Sequence, residues 1–312
     1  MTTGQRISEC VRMSLRNATK TVIWLAKIMI CVSFGIMLLQ YFGVIQWVSN
    51  WMTPIFSYFG LPGEAALAYV SGYFVNCYSA MAVMVSLNLD TRAVTILAVM
   101  VLCSHNMIVE TTVQHKTGSS AARIVVIRTL SAFILAWILN KIMPNHYENI
   151  VTQNTGMTEQ NFIIMLEEWA FKTLKTTIMM VILVYLLTIL QRILSEFGII
   201  GYMAKFLKPI MQFFGLPPHT AFLWLIANTL GLAYGAAIMI DESEHGNTSK
   251  EDNDLLNHHI CVSHSNLEDL LLFTALGGSF LWMLLSRLFM AMILVWERKI
   301  ERILKTRFHI SH

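Results

Sequence analysis

The stretch CSHNMIVE, Cys103 to Glu110, follows the apolar run TRAVTILAVMVL and interrupts it with a histidine, an asparagine and a glutamate. Whether it is a loop between domains or a polar break inside a membrane decides the fold. The rest of the chain settles which. Of its 312 residues, 55% are hydrophobic and only 13% charged, and the mean hydropathy is +0.58. Such a chain is too apolar for an ordinary globular enzyme and reads as an all-α polytopic membrane protein. Near-continuous apolar runs at 21–43, 63–88, 121–143, 176–195, 218–240 and 271–296 approach or exceed the roughly 20 residues needed to cross about 30 Å of hydrocarbon, so six spans are expected.

The net charge of +3 comes mainly from the two ends, with Arg6, Arg12, Arg16 and Lys20 before the first run and Arg298 to Arg307 after the last. This places both termini in the cytoplasm and the chain in the inner membrane of a bacterium. The arginines are not interleaved with stacking aromatics, so nucleic acid is not an expected partner. The first run is too long for a signal-peptide core and lacks a small-residue cleavage site, so it stays as an anchor. Five scattered cysteines imply no disulfide framework, and twenty dispersed methionines read as packing rather than copper ligands.

A repeat fixes the organisation. WVSNWMTPIFSYFGLPGEAALAYV (47–70) is echoed by YMAKFLKPIMQFFGLPPHTAFLWL (202–225), with Pro54 opposite Pro209 and Gly60-Leu-Pro62 opposite Gly215-Leu-Pro217. CSHNMIVE is echoed by CVSHSNLED (261–269), with Ser104-His105 opposite Ser263-His264 and Arg128 opposite Arg287. The acidic insertion 241–254 accounts for a small change of offset. Two halves result, 5–143 and 161–304, with a polar linker 144–160 and a basic tail 305–312. Each reads as an amphipathic leading helix, a span, an interfacial helix ending at Gly-Leu-Pro, a second span, the polar motif and a third span. The motif segments are short and polar, which favours re-entrant loops over crossings. Three crossings per half then set the halves in opposite orientations, the inverted-repeat plan of many secondary transporters.

Within the motifs, Asn106 and Ser265 are good helix N-caps, and Ser265-Asn266-Leu267-Glu268 has the form of a capping box. Helices starting at mid-membrane would aim their N–H groups at an anion or polar solute. His105, His264, Glu110 and Asp269 would line the same polar centre. A re-entrant turn also needs hydrogen-bonding side chains for its own backbone, and that structural reading stands beside the functional one. Ionisable groups at membrane depth cost about 2.5–3.5 kcal/mol each, which favours substrate or proton handling. Arg128 and Arg287, mid-span, are either anion clamps and counter-ions for Glu110 and Asp269 or permanent locks. Asn76 and Asn228, on second spans rich in small residues, are candidates for bonding a solute or for close helix packing. Cys103-x-His105 and Cys261-x-x-His264 offer metal ligands at equivalent places, with Cys77, His258 and His259 as further candidates beside them.

With Gly-Leu-Pro after an interfacial helix, then an apolar span, a polar broken segment and an Arg-bearing span, both halves resemble the nucleoside-recognition or gate domain. That domain occurs in concentrative nucleoside transporters, in the membrane part of the ferrous-iron permease and in spore maturation proteins A and B. The resemblance implies membrane transport or export by two gate repeats and leaves the cargo open; the chain lacks the permease's GTP-binding domain.

No nucleophile–base pair, phosphate loop or H-E-x-x-H pattern is present, so neither an enzyme nor a cofactor is expected. The expectation is a transporter of a small polar or anionic solute, bound at mid-membrane among His105, Asn106, Glu110, His264, Ser265 and Asp269 and coupled to protons. A divalent metal permease and a non-transporting scaffold are the alternatives. The lipid bilayer and a second copy of the chain are the expected macromolecular partners.

Overall fold

In a computed structural model, residues 2–87, 89–144, 162–229, 231, 238–240, 242 and 248–310 are described; linker residues 145–160 and much of 230–247 lie outside them. Every regular element among them is helical.

Helix α1 (Thr3–Tyr41) starts at a capping box in which Thr2 and Gln5 exchange side-chain and backbone bonds. It absorbs the expected leading helix and first span into one rod of 39 residues, about 58 Å long at 1.5 Å per residue. α8 (Phe162–Glu196) does the same in the second half. These two pair antiparallel along their lengths: Arg6 bonds Glu196, the Thr19 and Tyr185 hydroxyls meet, and Ser33 meets Thr173. α7 (Ala121–Ile142) and α13 (Phe280–Ile310) are the other two helices long and apolar enough to cross alone. Rows of exposed apolar side chains face outward, such as Val126, Leu130, Ile134 and Trp137 on α7, as lipid contact requires.

The interfacial helices α2 (Val44–Phe56) and α9 (Ile199–Phe213) each contain the matching proline, Pro54 or Pro209. Trp47, Trp51, Tyr202 and Phe206 are exposed, the amphipathic aromatic display that suits a membrane–water boundary. Gly60 and Gly215 follow with φ of 68° and 79°, a left-handed conformation that only glycine adopts freely. This is the physical content of the repeated Gly-Leu-Pro.

One of the expected spans is not a crossing as read from the sequence. The run 63–88 folds as α3 (Ala65–Phe74) and α4 (Cys77–Ser86), two helices of ten residues, each about 15 Å long and half of what a span needs. They pack side by side, so that a Cβ added at Gly72 would lie 3.1 Å from that of Ala80. The chain turns between them at Val75–Asn76, where the Asn76 side chain accepts from the N–H of Ser79 and caps α4. Asn76 is thereby assigned a capping role. The run 218–240 begins as α10 (Ala221–Thr229), and most of its remainder lies outside the described residues.

The motif segments take the opposite part. α5 (Thr91–Ser104) and α6 (Met107–Lys116) meet at His105–Asn106 with a bend of 41°. α6 therefore carries the course of α5 forward, and the pair together is long and apolar enough to cross. In the second half α11 (Lys250–Ser263) leads through the break 264–268 into α12 (Asp269–Ala275). The two broken helices run antiparallel. Near one end Ser119, just past α6, bonds Asp254 of α11, while Thr95 of α5 accepts from the N–H of Ser279, just past α12. Arg6 meets Glu196 just before α9 and Gly215, just after α9, lies against Trp296 of α13, so both termini lie at the end of the bundle that α9 borders. Among the described residues four helices, or five with α5–α6 counted as one, are long and apolar enough to cross. α5 and α11 are buried almost throughout, so their polarity is met by protein rather than by lipid.

A helix break at this depth leaves carbonyls and N–H groups without partners. The carbonyls are taken by arginines. Arg128 donates from Nε to the carbonyl of Cys103 at 2.9 Å and from Nη2 to that of His105 at 2.7 Å. Arg287 makes the equivalent pair with Val262 and His264 at 2.7 and 2.6 Å. Both are fully buried. The N–H groups are taken by carbonyls of α3 and α10: Asn106 donates to Gly72 and Ser265 to Ala227, at 3.0 and 3.1 Å.

These staples make a prediction. Bonds to a charged donor contribute roughly 1.5–3 kcal/mol each, and lysine lacks the planar fork that spans two carbonyls. Arg287→Lys and Arg287→Gln should each lower the thermal unfolding midpoint of the detergent-purified protein by several degrees. An unchanged midpoint in both would remove the staple role.

Candidate functional site

The two breaks bring their histidines face to face. In each ring Nδ1 lies against the carbonyl four residues earlier, His105 against Val101 at 3.1 Å and His264 against Ile260 at 2.8 Å. A carbonyl only accepts, so Nδ1 carries hydrogen in both rings and Nε2 is the free position. The two Nε2 atoms are 3.4 Å apart. His105 Nε2 is also 3.0 Å from Glu110 Oε1 and 3.5 Å from Asp269 Oδ2, and His264 Nε2 is 3.2 Å from Glu110 Oε2. All four groups are buried. His105, Glu110 and His264 thus converge from both halves, and Cys77 at the hairpin tip joins His105 and Asp269 in a second such group.

The electrostatics of this centre are cationic in preference. Two neutral imidazoles would aim lone pairs at each other and at carboxylate oxygens, an arrangement that a proton or metal ion between them relieves. Arg128 adds one charge, with Nη2 2.6 Å from Glu110 Oε2. Its remaining donors and those of Arg287 serve backbone carbonyls, apart from the Arg287 bond to Asn266 Oδ1 at 3.0 Å and the unpartnered Nη1 of Arg128. Among the described residues Arg287 forms no ion pair with Asp269.

Several expected roles are revised. Asn106 precedes α6 in a left-handed conformation, φ 47°, without a side-chain cap bond. Ser265, φ 54°, offers Asp269 its carbonyl rather than its hydroxyl, and α12 starts after Glu268, so the capping box does not form. Seven residues of α12 give no substantial helix terminus for a solute. Glu268 accepts from the Tyr78 hydroxyl at 2.6 Å, and Asn266 donates to Asn228 at 2.6 Å, tying the second break to the hairpins. Cys103 and Cys261 turn their thiols to the carbonyls of Val262 and His258 and enter neither converging group. Cys77 takes the place expected of them. His259 is held by Trp224 and Ser263, and His258 accepts from Arg123, both away from the centre. Of the further candidate ligands Cys77, His258 and His259, only Cys77 joins a converging group.

Comparison with known proteins agrees with this architecture. Residues 22–127 match the Gate family model, described as nucleoside recognition. An uncharacterized membrane protein of Bacillus subtilis (strain 168), YvoD, is 31% identical over 275 residues, covering 86% of this chain and 88% of the relative. No solved structure matches. With four stand-alone membrane helices, a broken helix pair through the matched region and a relative aligned over nearly its whole length, the chain belongs to the Gate, or nucleoside-recognition, family of membrane proteins.

Proposed function

We propose that this protein is a secondary transporter of a small cation, with a divalent transition metal as the cargo class, bound where the two broken helices cross. The observation that carries this reading is the convergence of His105 Nε2, His264 Nε2 and the Glu110 carboxylate within hydrogen-bond reach of one another. Imidazole nitrogen, carboxylate oxygen and the Cys77 thiol form a borderline-soft donor set suited to such ions rather than to Mg²⁺ or Ca²⁺. An anionic solute is disfavoured, because the arginines commit all their donor nitrogens but Nη1 of Arg128 to the scaffold and Glu110 while two carboxylates face the centre. The basic end carrying both termini faces the cytoplasm.

The site is closed by burial on every side, so delivery requires it to open alternately to the two faces. Protons compete for the same nitrogens and oxygens, which gives the exchange a counter-ion. The α3–α4 hairpin and α10, which hold the two breaks, are the elements placed to gate it.

Flux into liposomes tests this. The purified chain should take up Zn²⁺, Mn²⁺ or Co²⁺ saturably, as read by an enclosed metal-sensitive dye. Glu110→Gln should slow uptake by about tenfold or more, the equivalent of about 1.4 kcal/mol or more lost from the site. Carriage of an organic anion or nucleoside at a rate indifferent to Glu110→Gln would reject the cation site, and a folded protein that passes none of these would be a scaffold.

A binding measurement supplies the pH arm. Metal ligation needs unprotonated Nε2 atoms, so calorimetric affinity should fall as pH drops from about 7.5 to about 5.5, across the ordinary histidine range. His264→Ala should weaken binding and flatten that dependence; full affinity at the acid end would exclude ligation by these histidines.

A further inference from the structure

The two halves build the same crossing from unlike material. α6 and α11 lie antiparallel between the buried centre and the end that carries the termini, and the seam between them is polar. Asn257 donates to the Gln114 carbonyl at 3.1 Å and to Thr117 Oγ1 at 2.9 Å, and Ser119 donates to Asp254 at 2.7 Å. At the outer end Arg298 and Arg302 close on Asp254 at 2.7 and 2.6 Å. At the inner end the seam reaches Glu110 and His264.

Among the described residues five buried side-chain atoms of α6 and α11 have no partner: Nε2 and Oε1 of Gln114, Nδ2 and Oδ1 of Asn253, one turn before Asn257, and Oδ1 of Asn257. All three residues are fully buried. A dry, unpaired polar group costs roughly 1–3 kcal/mol, so five in one seam are hard to reconcile with a packed interior. Polar sites of this kind are where proteins keep internal water.

The equivalent seam on the other side is of opposite character. At the repeat offset Asn253 corresponds to Val94, Asn257 to Ala98 and Gln114 to Phe273, all three buried apolar residues. Local requirements of a broken helix do not explain the difference, because both halves break alike and both breaks are stapled alike.

We propose that the α6–α11 seam is a hydrated access path by which cations and protons reach the central site from the end bearing the termini, while the α5–α12 seam is the dry barrier. The inference rests on the central crossing being the ion site. The path conducts along amides and hydroxyls, which coordinate water and cations without carrying charge of their own. Asp254 marks its mouth, where an incoming cation exchanges with the two arginines for the carboxylate.

Chemical labelling tests the path without requiring transport. Asn257→Cys and Ala98→Cys are made in the full chain, reconstituted in liposomes and exposed to a small charged thiosulfonate from the side of the termini, with labelled peptides located by mass spectrometry. Asn257→Cys should react at least about tenfold faster than Ala98→Cys, since the reagent needs hydrated thiolate. Ser119→Cys, nearly isosteric, serves if Asn257→Cys does not fold, and should react likewise. Equal rates at the two seams, or an inert thiol at both 257 and 119, would overturn the path. Labelling as expected in a protein that carries no metal would keep the path and reject the transport reading instead.

Discussion

An interrupted helix inside a membrane must find partners for the backbone groups that the interruption frees. Here that constraint governs the whole interior. Water cannot be assumed at this depth, and each unpaired carbonyl or N–H carries a cost of order 1–3 kcal/mol. Arg128 and Arg287 absorb the freed carbonyls, and the carbonyls of Gly72 and Ala227 absorb the freed N–H groups. The pattern repeats residue for residue across the two halves. What is left over, once the backbone is satisfied, is a pair of imidazole nitrogens and their carboxylates. The scaffold therefore separates its groups: the guanidinium groups hold the chain, and imidazole and carboxylate are left facing one another.

The pseudo-symmetry is followed strictly where backbone is at stake and loosely elsewhere. Glu110 engages both histidines and Arg128, whereas Asp269 reaches only His105, at 3.5 Å. Arg287 finds an amide, Asn266, in the place where Arg128 finds a carboxylate. A buried ion pair stabilises only when its desolvation is repaid by geometry and further bonds, and Arg128 meets that condition through its two carbonyls. One half thus holds the fixed charge and the other holds the looser acid.

Much of this was legible in the sequence, and the failures have physical causes. Composition and run length gave an all-α membrane protein, and self-similarity paired His105 with His264 and Arg128 with Arg287. Six spans were expected, and among the described residues four helices, or five with the bent pair counted as one, are long and apolar enough to cross. Two ten-residue helices around Asn76 present the same apolar length as one twenty-residue span, and hydropathy has no term for the reversal. Conversely, α11 is polar enough to look like a loop, because a helix enclosed by protein need not be greasy. The arginines had two candidate roles, and spacing could not show that their forks lie over helix-end carbonyls. Cys77 was legible as a candidate ligand while its place was not, since only the hairpin turn brings it to the centre.

The bonds from Asn106 to Gly72 and from Ser265 to Ala227 have a mechanical consequence. A hairpin that swung away alone would strip an amide of its acceptor in the driest part of the molecule. The α3–α4 hairpin with α5–α6, and α10 with α11–α12, are thereby yoked in pairs through backbone alone.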